Sequence, residues 1–207
     1  MEQKFLHWLE NGVVLGDGAM GTMLYERGIY INRNFDQLNL TEPHLIKAIH
    51  RDYIAAGAEV IETNTFGANA YKLGKYGLAE DAFKIAKAGA EIARRVADES
   101  SQVLVAGSMG PLGKPVAPVG TIHHEEALGA FKTQAQALLE GGVDLFILET
   151  FIDLAEITIA VQAVREVSDL PLVAMMTIDL TDLTAYGRSP EQVAAELDAL
   201  PVEVIGL

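Results

Sequence analysis

Polar residues follow many of the short apolar runs in this sequence, and several of them are carboxylates. Asp17 comes directly after one such run, Glu62 after the next, and Glu149 after a later one. Burying a carboxylate next to an apolar run costs free energy unless the charge is paired or the residue has a functional role. Carboxylates that converge at one edge of a sheet can act as general acid and base, so the pattern indicates an enzyme site without identifying its reaction.

Other apolar runs are followed by Ser108, or by Thr177 together with Asp179. A simpler interpretation of such residues is that they only cap the next helix, and we expect this of Asp153. We prefer the site interpretation for Asp17 and Glu149. Both interpretations remain open for Glu62 and Asp179.

A glycine-rich segment, Gly16-Asp-Gly-Ala-Met-Gly21, has the spacing G-x-G-x-x-G that occurs in dinucleotide-binding proteins. In those proteins a second strand ends in an acidic residue about 20 residues later. Here that stretch is the polar, irregular segment 32–39, and the next apolar run ends near Glu62. We therefore interpret the glycines as a tight turn after a strand, because glycine permits unusual backbone dihedral angles.

Metal-ligating side chains are scarce in this chain, which has five histidines and no cysteine. His44 and His50 lie on one predicted helix but six residues apart, whereas neighbours on a helix face are three or four residues apart. His123 and His124 are placed at a helix start. We predict no metal ligand in the chain, and the absence of cysteine excludes disulfides, thiol nucleophiles and cysteine-bound zinc.

Six apolar, β-branched runs are the elements that position these residues. Each run is continuous rather than alternating, which is typical of strands covered on both faces. Helical patterns separate the runs, and strands that alternate with helices predict a parallel α/β sheet. The predicted strands cover residues 13–16, 59–62, 103–107, 143–148, 172–176 and 202–207.

The helical patterns have recognisable start signals. Thr41 is expected to be the N-cap of its helix, which has a proline in its first turn. Asp153 with Glu156, and Ser189 with Gln192, have the spacing of capping boxes. The predicted helices cover residues 41–57, 78–98, 125–140, 157–167 and 193–200.

Two architectures fit this alternation, a doubly wound sheet and a (β/α)8 barrel of the TIM type. A barrel needs eight strands and about 250 residues, whereas this chain has 207 residues and six predicted strands. No linker or low-complexity segment interrupts the chain, so residues 1–207 are expected to form one domain. On the barrel interpretation the chain comprises roughly the first six βα units of an incomplete barrel.

Composition limits the functions that are plausible. The chain has 15 Lys and Arg against 29 Asp and Glu, a formal charge of −14, which argues against binding nucleic acid or an anionic membrane. No apolar run approaches the ~20 residues of a membrane span, and the N-terminus does not resemble a secretory signal. We expect a soluble cytoplasmic protein.

Five segments at the ends of successive predicted strands resemble the homocysteine S-methyltransferase family, which includes the barrel module of cobalamin-dependent methionine synthase. Any one segment is weak evidence, but the ordered set is specific and covers essentially the whole chain. Residues 71–78 are most similar to the bacterial form that is fused to a methylenetetrahydrofolate reductase module. The matching segments are GDGAMGT at 16–22, ETNTFGAN at 62–69, GSMGPL at 107–112, LETF at 148–151 and MTID at 176–179.

The resemblance implies transfer of a methyl group to the sulfur of homocysteine, which gives methionine. By position, Asp17 and Glu149 would contact the ammonium group of homocysteine, and the backbone amides of residues 18–21 would suit its carboxylate. The substrate-binding residues implied in this way are Asp17, Gly18, Ala19, Met20, Gly21, Thr63, Asn64, Phe66, Gly67, Ser108, Glu149, Thr177 and Asp179.

The family also holds a zinc ion through three cysteines, and the substrate sulfur takes its fourth position. The sequence departs from the family here, because the chain has no cysteine and ends at Leu207, within the sixth predicted strand. We therefore expect the 207-residue chain, tested alone, neither to bind zinc tightly nor to methylate homocysteine. Its open sheet edges are expected to favour self-association.

Several alternatives remain open from the sequence. The methyl donor of the full-length parent is methylcobalamin, a methylated folate or a sulfonium compound, and folate, cobalamin or reductase domains are possible partners. One rival function is a barrel lyase or isomerase that uses Glu149 and Asp17 as acid and base. The other is a non-catalytic binding module derived from the same fold.

Overall fold

The computed structural model describes residues 4–100 and 102–207, which form an α/β fold around one parallel sheet. Its five strands lie side by side in chain order, so each connection between neighbours crosses one face of the sheet through helices. The strands are β1 (Val60–Glu62), β2 (Leu104–Met109), β3 (Leu145–Phe151), β4 (Leu172–Met176) and β5 (Val204–Gly206). These correspond to the second to sixth predicted strands, and the predicted parallel α/β sheet is confirmed.

Nine α-helices and one short 3-10 turn, Ala79–Asp81, accompany the strands in the described part of the chain. The helices are α1 (Lys4–Asn11), α2 (Met20–Glu26), α3 (Leu38–Thr41), α4 (Pro43–Ala55), α5 (Ala70–Gly74), α6 (Ala82–Ala97), α7 (His124–Gly141), α8 (Leu154–Arg165) and α9 (Pro190–Asp198). Within residues 4–100 and 102–207, no helix is both long enough and apolar enough to cross a membrane.

Alternate residues of the strands face two different apolar layers. One layer lies between the sheet and helices α6, α7 and α8, and includes Ile61, Val105 and Phe146. The opposite layer contains Val60 and Leu104, and Phe5 of α1 packs into it. Both faces of the sheet are therefore covered, which is why its strands are continuous apolar runs in the sequence.

The first predicted strand, residues 13–16, is not a strand in the structure, and that prediction is wrong. Only one isolated bridge forms, between Gly16 and Val60 of β1, supported by a 2.8 Å hydrogen bond from the Glu59 amide to the Leu15 carbonyl. Val13 is 93% exposed and Leu15 is 53% exposed. The run has the apolar composition of a buried strand, but its side chains are largely exposed to solvent.

Two of the predicted helix caps differ from the structure. Thr41 ends α3 instead of capping α4, whose N-cap is Glu42. The Asp153 side chain caps α8 by accepting a hydrogen bond from the Ala155 amide at 2.9 Å, but Glu156 does not complete the box. Glu156 turns inward and accepts a hydrogen bond from the Leu112 amide at 2.7 Å, because that buried amide needs an acceptor.

The box at α9 forms as predicted, with Ser189 and Gln192 bonded reciprocally. The helix predicted from residue 78 begins at Ala82, since the 3-10 turn occupies the preceding residues.

Strand β3 contains an irregularity where it reaches the end of the sheet. Its register with β4 shifts between Leu148 and Phe151, and Thr150 has a positive φ of 61°. The shift places Glu149 and Thr150 on the wall of one cavity, while Phe151 is fully buried. Two consecutive side chains thus face the same space, which a regular pleat would not allow.

Candidate functional site

A cavity of about 870 Å³ opens at the carboxyl ends of β1, β2 and β3. This is the end of a parallel α/β sheet at which ligands usually bind. The cavity brings together eleven of the thirteen residues that the sequence suggested for substrate binding. They are Asp17, Gly18, Ala19, Met20, Gly21, Thr63, Asn64, Phe66, Gly67, Ser108 and Glu149.

Asp17 lies beside the end of β1 and is held there through both its backbone and its side chain. Its amide donates to the Val60 carbonyl at 2.9 Å, and its Oδ2 accepts a hydrogen bond from the Glu62 amide at 3.0 Å. Burial raises the pKa of Asp17 to about 7, and the negative charge of Glu149 adds to this increase. Because this pKa lies close to neutral pH, a cation that binds next to Asp17 would shift its carboxyl group to the ionised form.

Glu62 and Glu149 complete what we call the carboxylate cluster: Asp17, Glu62 and Glu149. The Ser108 hydroxyl donates to Oε1 of Glu149 at 2.5 Å, and Glu62 lines the same cavity as Glu149. Burial raises the pKa of Glu62 well above its usual range, and the charges of Glu149 and Asp17 act in the same direction. An ammonium group is the natural complement of such a cluster.

The wall next to the cluster is held by buried hydroxyl and amide groups. The Oγ1 atoms of Thr63 and Thr65 lie 2.5 Å apart. Thr63 Oγ1 accepts a hydrogen bond from the Ser108 amide at 3.0 Å, and Thr65 Oγ1 donates one to the Ser108 carbonyl at 2.7 Å. Asn64 Nδ2 donates to Oδ1 of Asn39 at 3.0 Å. Thr63 and Asn64 therefore have a clear structural task, which is to tie the loop after β1 to β2 and α3.

The cavity also contains a half-buried cation, Lys72, that the sequence analysis did not single out. The ammonium of Lys72 lies 3.8 Å from the centre of the Phe66 ring. Asp36 accepts a hydrogen bond from the Gly67 amide at 2.9 Å, and burial raises its pKa to about 6 while the charge of Lys72 opposes the increase. The cavity is thus lined by both the carboxylate cluster and a lysine.

Further lining residues come from segments without a periodic pattern. The first group lies in the irregular stretch before α3 and comprises Ile31, Arg33, Asn34, Phe35 and Asp36. The second group follows the loop after β1 and comprises Lys72, Lys75 and Tyr76. The only signal for the second group was its place within the segment 71–78 that resembles the family. The first group had no signal, because an irregular loop is positioned by tertiary contacts alone.

Thr177 and Asp179 are not among the residues that line the cavity. Both are exposed, and Oδ1 of Asp179 accepts hydrogen bonds from the amide and the hydroxyl of Thr181 at 2.7 and 2.5 Å. Asp179 thereby stabilises its own turn after β4. A substrate contact by either residue stays a prediction.

The donor set of the cavity does not fit a sulfur-rich zinc site. Its side chains supply carboxylate, hydroxyl and amide groups, and the chain contains no thiol. In the described ranges, no three or more His, Asp or Glu side chains are grouped so that they could hold a metal ion. We therefore assign no chemical step of these residues to a metal.

Comparison with known proteins supports an origin in one family. The family model described as homocysteine S-methyltransferase matches residues 14–207. Methionine synthases from Mycobacterium leprae and Mycobacterium tuberculosis are each 34% identical to the chain over 221 residues and cover 100% of it. The chain spans 18% of the length of each of these curated relatives.

Solved structures agree with this comparison. The metallated form of the homocysteine methyltransferase MmuM from Escherichia coli is 25% identical, with a TM-score of 0.83 over 100% of this chain and 77% of that chain. Its apo form gives a TM-score of 0.75 at the same identity, over 100% of this chain and 75% of that chain. The similarity confirms the expected α/β barrel class. The chain belongs to the homocysteine S-methyltransferase family.

Proposed function

We propose that the cavity binds homocysteine and that the protein serves methyl transfer to the homocysteine sulfur, which forms methionine. The observation that carries the proposal is the carboxylate cluster at the carboxyl ends of the strands, in a chain of this family. Such a cluster suits the ammonium group of an amino acid, because each half-buried carboxylate gains an opposite charge.

In this proposal Asp17, beside the end of β1, and Glu149, at the end of β3, hold the ammonium group. The backbone amides of residues 18–21, where α2 begins, suit the substrate carboxylate, because the first amides of a helix have no acceptor within it. The side chain of homocysteine then extends along the wall formed by Phe66 and Gly67, both of which line the cavity. These residues bind and orient the substrate, and they leave its sulfur free to react.

A thiol becomes a strong nucleophile only when it is deprotonated, and a bound zinc ion can supply that effect. The residues described above do not provide a thiolate zinc site, so we propose no zinc ligand among them. The mycobacterial relatives are far longer than this chain, and we propose that the methyl donor is presented by such further domains. Methylcobalamin and a methylated folate are the donors that fit this arrangement.

Calorimetry with the 207-residue chain tests the binding proposal. We expect L-homocysteine to bind, and 4-mercaptobutyrate, which lacks the amino group, to bind at least about tenfold more weakly. Asp17→Asn and Glu149→Gln should each weaken homocysteine binding by about tenfold, since each removes a charged partner of the ammonium. Glu80→Gln changes an exposed glutamate outside the cavity and serves as the matched control. Equal affinity for the two ligands would contradict the proposal.

A further inference from the structure

The Phe66 ring lines the cavity and contacts two other elements. The Phe66 carbonyl accepts a hydrogen bond from the Gly110 amide at 3.0 Å, and a Cβ atom at Gly110 would overlap the ring. The ring therefore lies directly on the backbone of the loop that follows β2. A second contact comes from α5, where the ammonium of Lys72 lies 3.8 Å from the centre of the ring.

Lys72 is itself held in place by its neighbours. The N-cap of α5 is Asn69, whose Oδ1 accepts a hydrogen bond from the Lys72 amide at 3.0 Å. The stem of the lysine passes over Gly113, since a Cβ atom there would lie 3.4 Å from Lys72 Cγ and 3.5 Å from Lys72 Cε. The loop of residues 110–113 thus supports both the lysine stem and the aromatic ring.

The positive charge of Lys72 has no close carboxylate partner. In the described part of the chain no carboxylate oxygen lies within 4 Å of its ammonium, and the charges of Asp36, Glu149 and Glu156 act on it from longer distances. An ammonium group over the face of an aromatic ring is attracted by the negative potential of that face, more strongly where solvent is partly excluded. Lys72 is half-buried, so the ring, rather than a carboxylate, is its nearest electrostatic partner.

We propose that Lys72 is a positioning residue, which fixes the Phe66 ring as the wall along which the substrate side chain lies. The inference rests on the proposed function in naming homocysteine as that substrate. Phe66 is 37% exposed, so packing alone leaves part of the ring free to move. A ring that is fixed before binding does not have to be ordered by the substrate, and the affinity is higher for that reason.

The first test needs no ligand. An aromatic ring shifts the NMR signals of protons that lie against it, and the Hα protons of Gly110 lie against Phe66. We expect Lys72→Gln, which removes the charge, to move these signals toward the values of an unstructured glycine. Lys72→Arg keeps a cation for the ring and should leave them close to the wild-type position. Wild-type Gly110 signals in Lys72→Gln would overturn the proposal.

Lys84→Gln is the matched control, because it removes the same charge from an exposed lysine of α6 that does not line the cavity. It should leave both the Gly110 signals and the affinity for homocysteine unchanged. Circular dichroism of each variant verifies that it is folded.

The second test measures homocysteine binding to the 207-residue chain by calorimetry. We expect Lys72→Gln to bind about fivefold more weakly than the wild type and Lys72→Arg to bind within about twofold of it. In the Phe66→Leu background the same Lys72→Gln exchange should change the affinity by less than about twofold, because the ring through which the lysine acts is absent. If the exchange weakens binding about fivefold in that background as well, Lys72 acts through its charge alone, and the proposal is overturned.

Failure of the two proposals can be told apart. If the wild type does not bind homocysteine while the Gly110 signals respond to Lys72→Gln, the proposed function fails and the positioning of the ring stands. If homocysteine binds but the signals do not respond, the role of Lys72 fails alone. The NMR result on Lys72→Gln decides the question even if Phe66→Leu does not fold.

Discussion

The hydroxyl of Ser108 on β2 donates a 2.5 Å hydrogen bond to Oε1 of Glu149 on the neighbouring strand β3. Ser108 is buried, with 1% of its surface exposed, so water cannot replace the lost donor easily. We expect Ser108→Ala to weaken homocysteine binding by about tenfold, because a hydrogen bond to a charged group contributes roughly 1.5–3 kcal/mol. Calorimetry measures the change.

The matched control for this variant is Thr133→Ala, which removes an exposed hydroxyl that bonds only its own helix, at the Gly129 carbonyl. It should leave the affinity unchanged. Wild-type affinity in Ser108→Ala would show that Glu149 is oriented without the serine.

Asp17 makes homocysteine binding dependent on pH near neutrality. Its pKa is raised from 3.8 to about 7 in the folded protein, so the carboxyl group is increasingly protonated as the pH falls below that value. The affinity for an ammonium group should therefore rise with pH up to about 7, by at most about tenfold for each pH unit below the pKa. Calorimetry at several pH values measures the slope.

Asp17→Asn provides the comparison, because asparagine cannot ionise. The affinity of this variant for homocysteine should be lower than that of the wild type at pH 8. Between pH 5 and 8 it should change far less than the roughly tenfold per pH unit that one titrating proton produces in the wild type. An unchanged slope in this variant would assign the titration to another group.

His50 of α4 should make the fold sensitive to acid. The ring is fully buried, neither nitrogen has a hydrogen-bond partner among the described residues, and burial lowers its pKa from 6.5 to about 4. Below about pH 6.5 the unfolded chain takes up a proton that the folded chain rejects. The free energy of unfolding should thus fall as the pH drops from about 6.5 to 4, by roughly 3 kcal/mol in total.

His50→Leu removes this term, so the difference in unfolding free energy between variant and wild type should grow as the pH falls. Using the difference cancels the buried acids, whose raised pKa values act in the opposite sense. His44→Gln changes an exposed histidine on the same helix and should leave the wild-type slope. Urea denaturation at several pH values measures the free energy of unfolding of each protein. If this free energy falls with pH equally in His50→Leu and in the wild type, the assignment to His50 is refuted.

Gly89 of α6 is required for close contact with the loop that follows β1. A Cβ atom there would lie 2.6 Å from Nδ2 of Asn39 and 2.6 Å from Cγ2 of Thr65. Asn39 Nδ2 cannot move freely, since it donates to the Asn64 carbonyl at 2.8 Å. We expect Gly89→Ala to lower the free energy of unfolding by roughly 2–3 kcal/mol through overpacking and a lost hydrogen bond.

Gly129 of α7 offers the control, because nothing lies within 4 Å of a Cβ atom placed there. Gly129→Ala should raise the unfolding free energy by about 0.5–1 kcal/mol, as alanine is favoured over glycine within helices. Thermal denaturation should therefore show a lower melting temperature than the wild type for Gly89→Ala and a higher one for Gly129→Ala.

The periodicity of the sequence was sufficient to predict most of the fold. Continuous apolar runs identify β1 to β5, because their side chains are covered on both faces of the sheet. The same criterion fails at residues 13–16, where Val13 is 93% exposed. Burial is a tertiary property, and an apolar segment at the margin of a sheet has the same composition as one inside it.

The candidate site was predictable where polar residues directly follow strands. Asp17, Ser108 and Glu149 are such residues, and they line one cavity. Asp179 follows a strand as well, but it bonds Thr181 within its own turn. Lys72 was missed because its approach to the Phe66 ring depends on how α5 packs, which no local pattern records.

The left-handed backbone at Thr150 has a consequence for ligand binding. A β-branched residue with a φ of 61° costs about 1–2 kcal/mol relative to an extended conformation. The conformation is maintained by the next residue, since Phe151 is buried against Phe131 with ring centres 6.0 Å apart. Folding of the core therefore supplies the energy that turns Glu149 toward the cavity. The site is preorganised, and an arriving substrate does not have to provide that energy from its own binding.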